Sequence, residues 1–258
     1  MHDEKKQRTY IITGASSDVT IHFLERLGSQ ISDDRKIKIF AQYRTSSKTL
    51  QNLAARYHNL DMDIRQCDLS IEKDTERWIT YIKEVCISDD IVPTHIVHLA
   101  APKFSYMRIR QLEWERFTNG MDVSVRSFAL LLKEFLPMMS KAKFGRIVAM
   151  LTAYTIGIPP KFMSDYVTIK YALLGLIRAA AAEYAGKGIT INGLSPNMME
   201  TKFLSNVDDR TVEITANSSA MRRNITLDET CAALEYILSD EAGYMQGINL
   251  NLSGGDRV

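Results

Sequence analysis

The stretch TYIITGASSDVT, Thr9–Thr20, decides the fold. Its first five residues, Thr9–Thr13, form a β-rich run of the kind found in buried strands. Gly14 follows directly, and glycine tolerates the backbone conformations that tight turns require. Helical sequence begins a few residues later. The stretch therefore predicts a strand, a glycine-containing turn and a helix in immediate succession.

The same alternation of strand and helix continues along the chain. Further strands are predicted at Lys36–Gln42, Met62–Gln66, Thr94–Leu99, Arg146–Leu151, Ile189–Leu194 and Gly247–Leu252. Amphipathic or helix-forming stretches lie between them, among them Leu50–Tyr57, Ile71–Val85, Trp114–Met139 and Ala172–Tyr184. Such alternation implies right-handed crossovers and a parallel sheet covered on both faces. We expect an α/β fold, namely a single doubly wound Rossmann domain over residues 1–258 with a parallel sheet of about seven strands flanked by helices.

One long segment, Pro196–Thr226, is predicted to be irregular. Its polar sequence fits a surface loop. Loops of this length in compact domains are also often lids or binding loops, so both interpretations stay open.

Composition excludes several classes of protein. The chain has 258 residues, 45% of them hydrophobic, and a formal net charge of +1. That charge gives no field for gathering nucleic acid, and no apolar run is long enough to span a bilayer. The amino-terminal segment Met1–Arg8 is charged and lacks the apolar core of a signal peptide. Cys67, Cys86 and Cys231 are scattered, so we expect reduced thiols, no metal site and a cytoplasmic location.

The strongest chemical signal is the pair Tyr166 and Lys170. Residues four apart lie on one face of a helix. A neighbouring ammonium favours the charged form of a phenol, so we expect Lys170 to lower the pKa of Tyr166. A phenol tuned in this way can serve as a general acid or base. The spacing alone is common by chance, so its weight depends on its surroundings.

Those surroundings resemble the short-chain dehydrogenase/reductase family over nearly all of the chain, from Thr9 to Gly255. The family has Thr-Gly-x-x-x-Gly-x-Gly between its first strand and helix. This chain keeps Gly14 and has Asp18 and Thr20 in place of the other two glycines. A turn of this kind holds a dinucleotide diphosphate on backbone N–H groups. The resemblance therefore implies a nicotinamide dinucleotide as cofactor.

Asp18 is the main departure from the family pattern. We expect its side chain to cap the first helix. We also expect its carboxylate to lie near the phosphate position, where like charges about 4 Å apart repel by roughly 1 to 4 kcal/mol. By this reasoning Asp18→Gly should tighten cofactor binding.

NADP(H) is the expected cofactor. The second predicted strand is followed by Arg44 and Thr45, with no acidic residue to bind the ribose hydroxyl of NAD. A guanidinium suits the additional phosphate of NADP. With the resemblance, the cofactor-binding set is Gly14, Ser16, Ser17, Asp18, Val19, Arg44, Thr45, Asp68, Leu69, Ala100, Tyr166, Lys170, Pro196, Met199 and Thr201. His98, where the family usually has Asn, is expected to be a buried, hydrogen-bonded core histidine.

The resemblance also implies the catalytic set Ser124, Thr152, Tyr166 and Lys170. Thr152 stands at the position of the family's Ser, and Ser124 at that of its Asn. In this mechanism Thr152 and Tyr166 hydrogen-bond a carbonyl oxygen and Tyr166 donates the proton. Lys170 holds the nicotinamide ribose, and Ser124 helps to return the proton through water.

The expected function is an NADP(H)-dependent oxidoreductase that reduces a carbonyl to a secondary alcohol. The resemblance is closest to the 3-oxoacyl carrier-protein reductases, which suggests an acyl-thioester or other small-molecule substrate. The alternative is an eroded family member that acts as a cofactor-binding or scaffold protein. Sugar-nucleotide enzymes of the related extended group carry a further carboxy-terminal domain, and we expect none here.

Two further expectations concern the pocket and the assembly. A partly apolar pocket is expected from Phe162, Met163, Met198, Met199, Phe203 and Met221. Family members associate through helices that correspond to Trp114–Met139 and Tyr166–Tyr184, so we expect a homodimer or homotetramer. No nucleic-acid or membrane partner is expected.

Overall fold

A computed structural model describes residues 8–32, 36–103 and 106–257. Most of the segment Met1–Arg8 lies outside these ranges. The strands are β1 (Thr9–Thr13), β2 (Ile37–Tyr43), β3 (Leu60–Gln66), β4 (His95–His98), β5 (Gly145–Met150), β6 (Ile189–Pro196) and β7 (Asn249–Leu252). The α-helices are α1 (Asp18–Gln30), α2 (Lys48–Arg56), α3 (Glu72–Ser88), α4 (Trp114–Met121), α5 (Ser127–Ala142), α6 (Ser164–Glu183), α7 (Asp209–Ser218) and α8 (Leu227–Leu238).

The strands form one parallel sheet in the order β3-β2-β1-β4-β5-β6-β7. This confirms the predicted α/β fold with helices on both sides. Strand β1 has the predicted bounds, and the others differ by up to two residues at an end. Strands β2 and β3 extend the sheet on one side of β1, and β4 to β7 extend it on the other. This change of strand order leaves a crevice outside the carboxyl ends of β1 and β4.

Alternating residues of the strands supply two separate cores. Ile11 packs on one face with residues of α3, α5 and α6. Its neighbour Ile12 packs on the other with residues of α1, α2 and α8. Because successive side chains of a strand point to opposite faces, a continuous apolar run such as that of β1 fits a sheet covered on both sides.

The predicted helical stretch Trp114–Met139 is interrupted. A single turn of π-helix, Asp122–Arg126, separates α4 from α5. Such bulges widen the helix locally and often lie at functional sites. Here the turn contains Ser124, which is completely buried.

The prediction of an irregular segment over Pro196–Thr226 is wrong in part. It contains the short 3-10 turn Lys202–Leu204 and the helix α7. Asp208 begins α7, since its carboxylate accepts hydrogen bonds from the backbone N–H and the hydroxyl of Thr211 at 2.8 and 2.7 Å. This capping interaction stabilises a helix in a segment whose polar composition predicted a loop.

Cys67, Cys86 and Cys231 are buried free thiols, and burial raises the pKa of each to about 12. Cys67 and Cys86 belong to the core beneath α3, and Cys231 to the opposite core. Within the described ranges no helix combines the length and the apolar character needed to cross a bilayer.

Candidate active site

The turn after β1 brings its backbone close to β4. Gly14 has φ +66°, and a Cβ atom there would lie 2.9 Å from the backbone nitrogen of Ala100. Its N–H donates to the side-chain oxygen of Gln42 at 2.8 Å. The hydroxyl of the fully buried Thr20 donates to the carbonyl of Gly14 at 3.1 Å. Threonine is therefore accommodated at the position where the family has its third glycine.

Ser17, and not Asp18, caps α1, so the expected capping role of Asp18 is wrong. The Ser17 hydroxyl accepts a hydrogen bond from the N–H of Thr20 at 3.2 Å. Asp18 is the first helical residue, and its carboxylate contacts the loop after β6. There it accepts the N–H of Lys202 at 2.7 Å and pairs with the Lys202 ammonium at 3.1 Å. The shorter side chain of Ser17, one residue earlier, already caps the helix by accepting the N–H of Thr20.

Gln42 joins three strand ends at this edge of the sheet. Its amide nitrogen donates to the carbonyl of Cys67 at 2.6 Å, while its oxygen accepts the N–H of Gly14. Gln42 is only 3% exposed, so these bonds replace its contacts with water. It thus ties β2 to the turn after β1 and to the end of β3.

Two of the predicted cofactor-binding residues, Arg44 and Asp68, follow the ends of β2 and β3. Arg44 is exposed, and its backbone carbonyl accepts a hydrogen bond from Gln66. Burial opposes ionisation of Asp68, but hydrogen bonds from Ser70 and the charge of Arg44 outweigh it and lower the pKa of the carboxyl. Asp68 is therefore a carboxylate, and it accepts hydrogen bonds from the backbone N–H and the hydroxyl of Ser70 at 2.9 and 2.6 Å.

His98 is a buried core histidine, as predicted. It is 1% exposed, and its two ring nitrogens contact the hydroxyl of Thr13 at 2.7 Å and the carbonyl of Ser124 at 2.9 Å. A carbonyl only accepts, so Nε2 carries the proton and Nδ1 accepts from Thr13. Burial lowers the pKa of His98 to about 3, which keeps the ring neutral. The ring thus connects β1 to the π-helical turn.

Three of the predicted catalytic residues, Thr152, Tyr166 and Lys170, lie together beyond the end of β5. Tyr166 and Lys170 lie one turn apart on α6, and the Lys170 nitrogen is 5.8 Å from the centre of the Tyr166 ring. That nitrogen donates to the carbonyl of Met150 at 2.7 Å. Thr152 is 6% exposed and begins the 3-10 turn Ala153–Thr155.

The expected lowering of the Tyr166 pKa is wrong for this arrangement. Burial raises the pKa of Tyr166 to about 12, and a hydrogen bond with Thr152 offsets only part of that rise. Burial also lowers the pKa of Lys170, to about 8. Removal of each charged form from water dominates both pKa values, and the Lys170 nitrogen donates to the carbonyl of Met150. Tyr166 is therefore a protonated phenol at neutral pH.

A cavity of about 620 Å³ connects the turn after β1 to these residues. All of the predicted cofactor-binding residues line it, as do Thr152, Tyr166 and Lys170. Ser124 does not. It borders a smaller cavity of about 150 Å³ with Asn119, Asp165 and Lys170, and its hydroxyl donates to the carbonyl of Ala100 at 3.4 Å.

The apolar residues predicted for the pocket divide into two groups. Those that line the large cavity are Met163, Met198, Met199 and Phe203. Phe162 and Met221 do not line it, and each is about half exposed, at 46% and 55%. Phe203 lies with its ring centre 6.4 Å from that of Tyr166, so the apolar part is next to the proposed chemistry.

Sequence reasoning missed several cavity-lining residues with polar contacts, among them Gln42 and Lys202. Gln42 stands inside a strand, where its burial and its bonds leave no local signal. Lys202 follows Thr201 directly, but its contact is with Asp18, far away in the chain.

The large cavity suits a nicotinamide dinucleotide. Its volume is typical of small-molecule sites. Gly14 has no side chain, so a ligand can approach the backbone there closely. The first N–H groups of α1 have no partners within the helix, which leaves them available to bind an anion. In the described part of the chain no group of His, Cys, Asp and Glu is arranged to hold a metal ion.

A family model described as enoyl-(acyl carrier protein) reductase matches residues 33–256. The chain belongs to the short-chain dehydrogenase/reductase family. Oxidoreductases of this family use a nicotinamide cofactor. The matched range begins after α1, so it does not include the divergent turn at Gly14.

Individual proteins are similar to this chain in sequence or in fold. The acetoacetyl-CoA reductase of Allochromatium vinosum is 29% identical over 196 residues, 76% of this chain and 77% of the relative. The crystal structure of levodione reductase has a TM-score of 0.85 at 20% identity and covers 97% of both chains. That of 3-ketoacyl-(acyl-carrier-protein) reductase from Brucella melitensis, complexed with NADH, has a TM-score of 0.83 at 20% identity, over 98% of this chain and 99% of the other.

Burial of His98 predicts a pH-dependent stability. Its pKa is about 6.5 in unfolded chains and about 3 in the folded one. The unfolded state therefore binds the proton more tightly, and the free energy of unfolding falls as the pH drops from 6.5 towards 3. Each such histidine contributes a slope of about 1.4 kcal/mol per pH unit.

Replacing His98 by Gln should therefore reduce the loss of stability between pH 6 and pH 4.5, measured by urea unfolding. His58, which is exposed, provides the control variant His58→Gln. Equal slopes for the wild type and His98→Gln would contradict the assignment.

Proposed function

We propose that the chain is an NADP(H)-dependent oxidoreductase that reduces a carbonyl group to a secondary alcohol. The observation that carries the proposal is one cavity lined both by the turn at Gly14 and by Thr152, Tyr166 and Lys170. The direct test is NADPH oxidation followed against a panel of ketones, 3-oxoacyl thioesters and keto sugars.

When bound in the cavity, a nicotinamide dinucleotide would supply the hydride for the carbonyl carbon. The hydroxyls of Thr152 and Tyr166 hydrogen-bond the carbonyl oxygen, and Tyr166 gives its proton to that oxygen as negative charge develops. A phenol with a pKa of about 12 is fully protonated before the reaction, as a proton donor must be. The new C–H and O–H bonds complete the alcohol.

Lys170 returns the proton to Tyr166. Its pKa of about 8 lets the ammonium lose and regain a proton near neutral pH. Lys170 also borders the smaller cavity beside Ser124. In this proposal that cavity is the route to solvent water. Ser124 acts there as the residue that orients the water, in place of the family's Asn.

The choice of NADP(H) is supported by the end of β2. Arg44 and Thr45 line the cavity, and the side chain of Arg44 is exposed beside it. A guanidinium binds phosphate through two parallel hydrogen bonds, so this position favours the 2′-phosphate of NADP.

The substrate is proposed to be a 3-oxoacyl thioester or a similar ketone. Met163, Met198 and Met199 line the cavity, and methionine side chains adapt to chains of varied shape. The name of the Allochromatium vinosum relative, an acetoacetyl-CoA reductase, supports the same class.

The second candidate is a protein that binds the cofactor, or serves as a scaffold, without turnover. Loss of two turn glycines favours it, because Asp18 and Thr20 stand in their places. Binding of NADPH with no oxidation on any carbonyl of the panel would support this candidate, and turnover would exclude it.

We also propose a single domain in the cytoplasm that forms a homodimer or homotetramer. The sheet joins elements from β1 to β7, which supports one domain. Free, buried cysteines suit a reducing compartment. The exposed side of α6 presents a stripe of Tyr171, Gly175, Arg178, Ala179 and Ala182, small enough in part for a second helix to approach closely. Ala180 and Ala181, on the opposite side of α6, are buried in the core.

Removing the Tyr166 hydroxyl should stop the chemistry and spare binding. For Tyr166→Phe we expect kcat to fall by about 10²- to 10⁴-fold, because only the proton donor is lost. The dissociation constant of NADPH should stay near the wild-type value. Tyr171→Phe, an exposed tyrosine on the same helix, is the control. Near-native turnover by Tyr166→Phe on a true substrate would refute the mechanism.

Arg44→Ala should abolish the preference for NADP(H). Losing a charge-assisted contact to the 2′-phosphate is expected to weaken NADPH binding about 10- to 100-fold and leave NADH binding nearly unchanged. Arg56→Ala, at an exposed position on α2, is the control. A wild type that binds NADH as tightly as NADPH would remove the basis for this choice.

The assembly is tested by sedimentation at micromolar concentration. The wild type should sediment as a dimer or tetramer. Ala179→Glu should shift the sedimenting species towards a smaller assembly, because a buried unpaired charge disfavours the α6 interface. A monomeric wild type would contradict the proposed association.

A further inference from the structure

An ion pair joins the two sides of the large cavity. The carboxylate of Asp18, at the start of α1, binds both the N–H of Lys202, at 2.7 Å, and its ammonium, at 3.1 Å. Lys202 begins the 3-10 turn that follows β6. Both residues line the same cavity as Gly14 and Ser17.

Folding stability does not account for this pair. The Lys202 side chain is 86% exposed, and exposed ion pairs contribute little to the stability of a folded chain. A carboxylate placed alone beside a diphosphate would repel it. Pairing with the ammonium cancels that charge, so the local field of the turn is no longer negative.

The pair also determines where the ammonium lies. Lys202 has a long flexible side chain, and an unrestrained one would lose rotamer freedom on binding an anion. Asp18 holds the charged end beside the first turn of α1, which lines the cavity and whose backbone N–H groups lack partners within the helix and so suit an anion. One ammonium has three donors, so it can contact the carboxylate and a phosphate together.

We propose that Lys202 is a ligand for the dinucleotide diphosphate and that Asp18 is the residue that positions it. This inference rests on the proposed function, since it takes a nicotinamide dinucleotide as the ligand. It also reverses the expectation drawn from the sequence. Asp18 supports binding through Lys202, and it repels phosphate only when Lys202 is absent.

The test is a binding measurement on the cofactor-free chain, independent of turnover. Dissociation constants for NADPH are measured by titration calorimetry for the wild type, Lys202→Ala, Asp18→Asn and the double variant. Lys202→Ala should weaken binding about tenfold or more, because a charged contact is lost and a carboxylate is left unpaired. Lys73→Ala, an exposed lysine on α3, should bind NADPH like the wild type.

The double variant provides the sharper outcome. With Ala at position 202, adding Asp18→Asn should recover part of the lost affinity, because it removes the unpaired charge. With Lys202 present, Asp18→Asn should give no such gain. If Asp18→Asn tightens binding equally in both backgrounds, Asp18 acts only by repulsion and the inference falls.

Two smaller probes locate the contact. Lys202→Ala should weaken the binding of ADP-ribose, which contains the diphosphate, and leave that of adenosine unchanged. Loss of affinity for adenosine as well would show a general distortion of the site and overturn the assignment. NADPH binding within twofold of the wild type in Lys202→Ala would overturn it while the proposed function stands. A wild type that binds neither NADPH, NADH nor ADP-ribose would refute both.

Discussion

Two buried polar side chains hold the carboxyl end of β1 from either side, and the site is built around that point. Gln42, on β2, accepts the N–H of Gly14, and His98, on β4, accepts the hydroxyl of Thr13. Both side chains are neutral and use their second polar atom on another element. Losing either would leave buried partners unsatisfied, at a cost of about 1–3 kcal/mol for each group. The positions of the turn and of Ser124 are thus coupled through the centre of the sheet.

Burial, more than mutual attraction, sets the protonation states at the chemical end of the cavity. It raises the pKa of Tyr166 and lowers that of Lys170, so that in each case the neutral form gains. The Tyr166 phenol is then protonated and able to donate its proton, and the Lys170 amine has a pKa close to neutral pH. A nearby anion or a developing alkoxide would change this balance, which makes the pair responsive to what occupies the cavity.

The sequence predicted features that depend on near neighbours and missed those that depend on distant ones. Strand β1 was predicted to the residue, because its apolar run and the following glycine are local signals. The contact between Asp18 and Lys202 joins residues 184 positions apart and has no such signal. The π-helical turn at Asp122–Arg126 is equally hidden, since it arises where Ser124 meets His98. Site residues on strand ends could be predicted, because the carboxyl ends of parallel strands meet at one edge of the sheet. The hydrogen bonds between those residues could be identified only from the three-dimensional structure.

The three buried thiols give the protein a chemical property unrelated to its site. Only a thiolate reacts readily with alkylating agents and oxidants, and pKa values of about 12 leave almost none in the folded chain. The thiols therefore react only after local or global unfolding exposes them to solvent. Cys67 and Cys86 lie in one core and Cys231 in the other, so the rates at which they are labelled report separately on the opening of the two faces of the sheet.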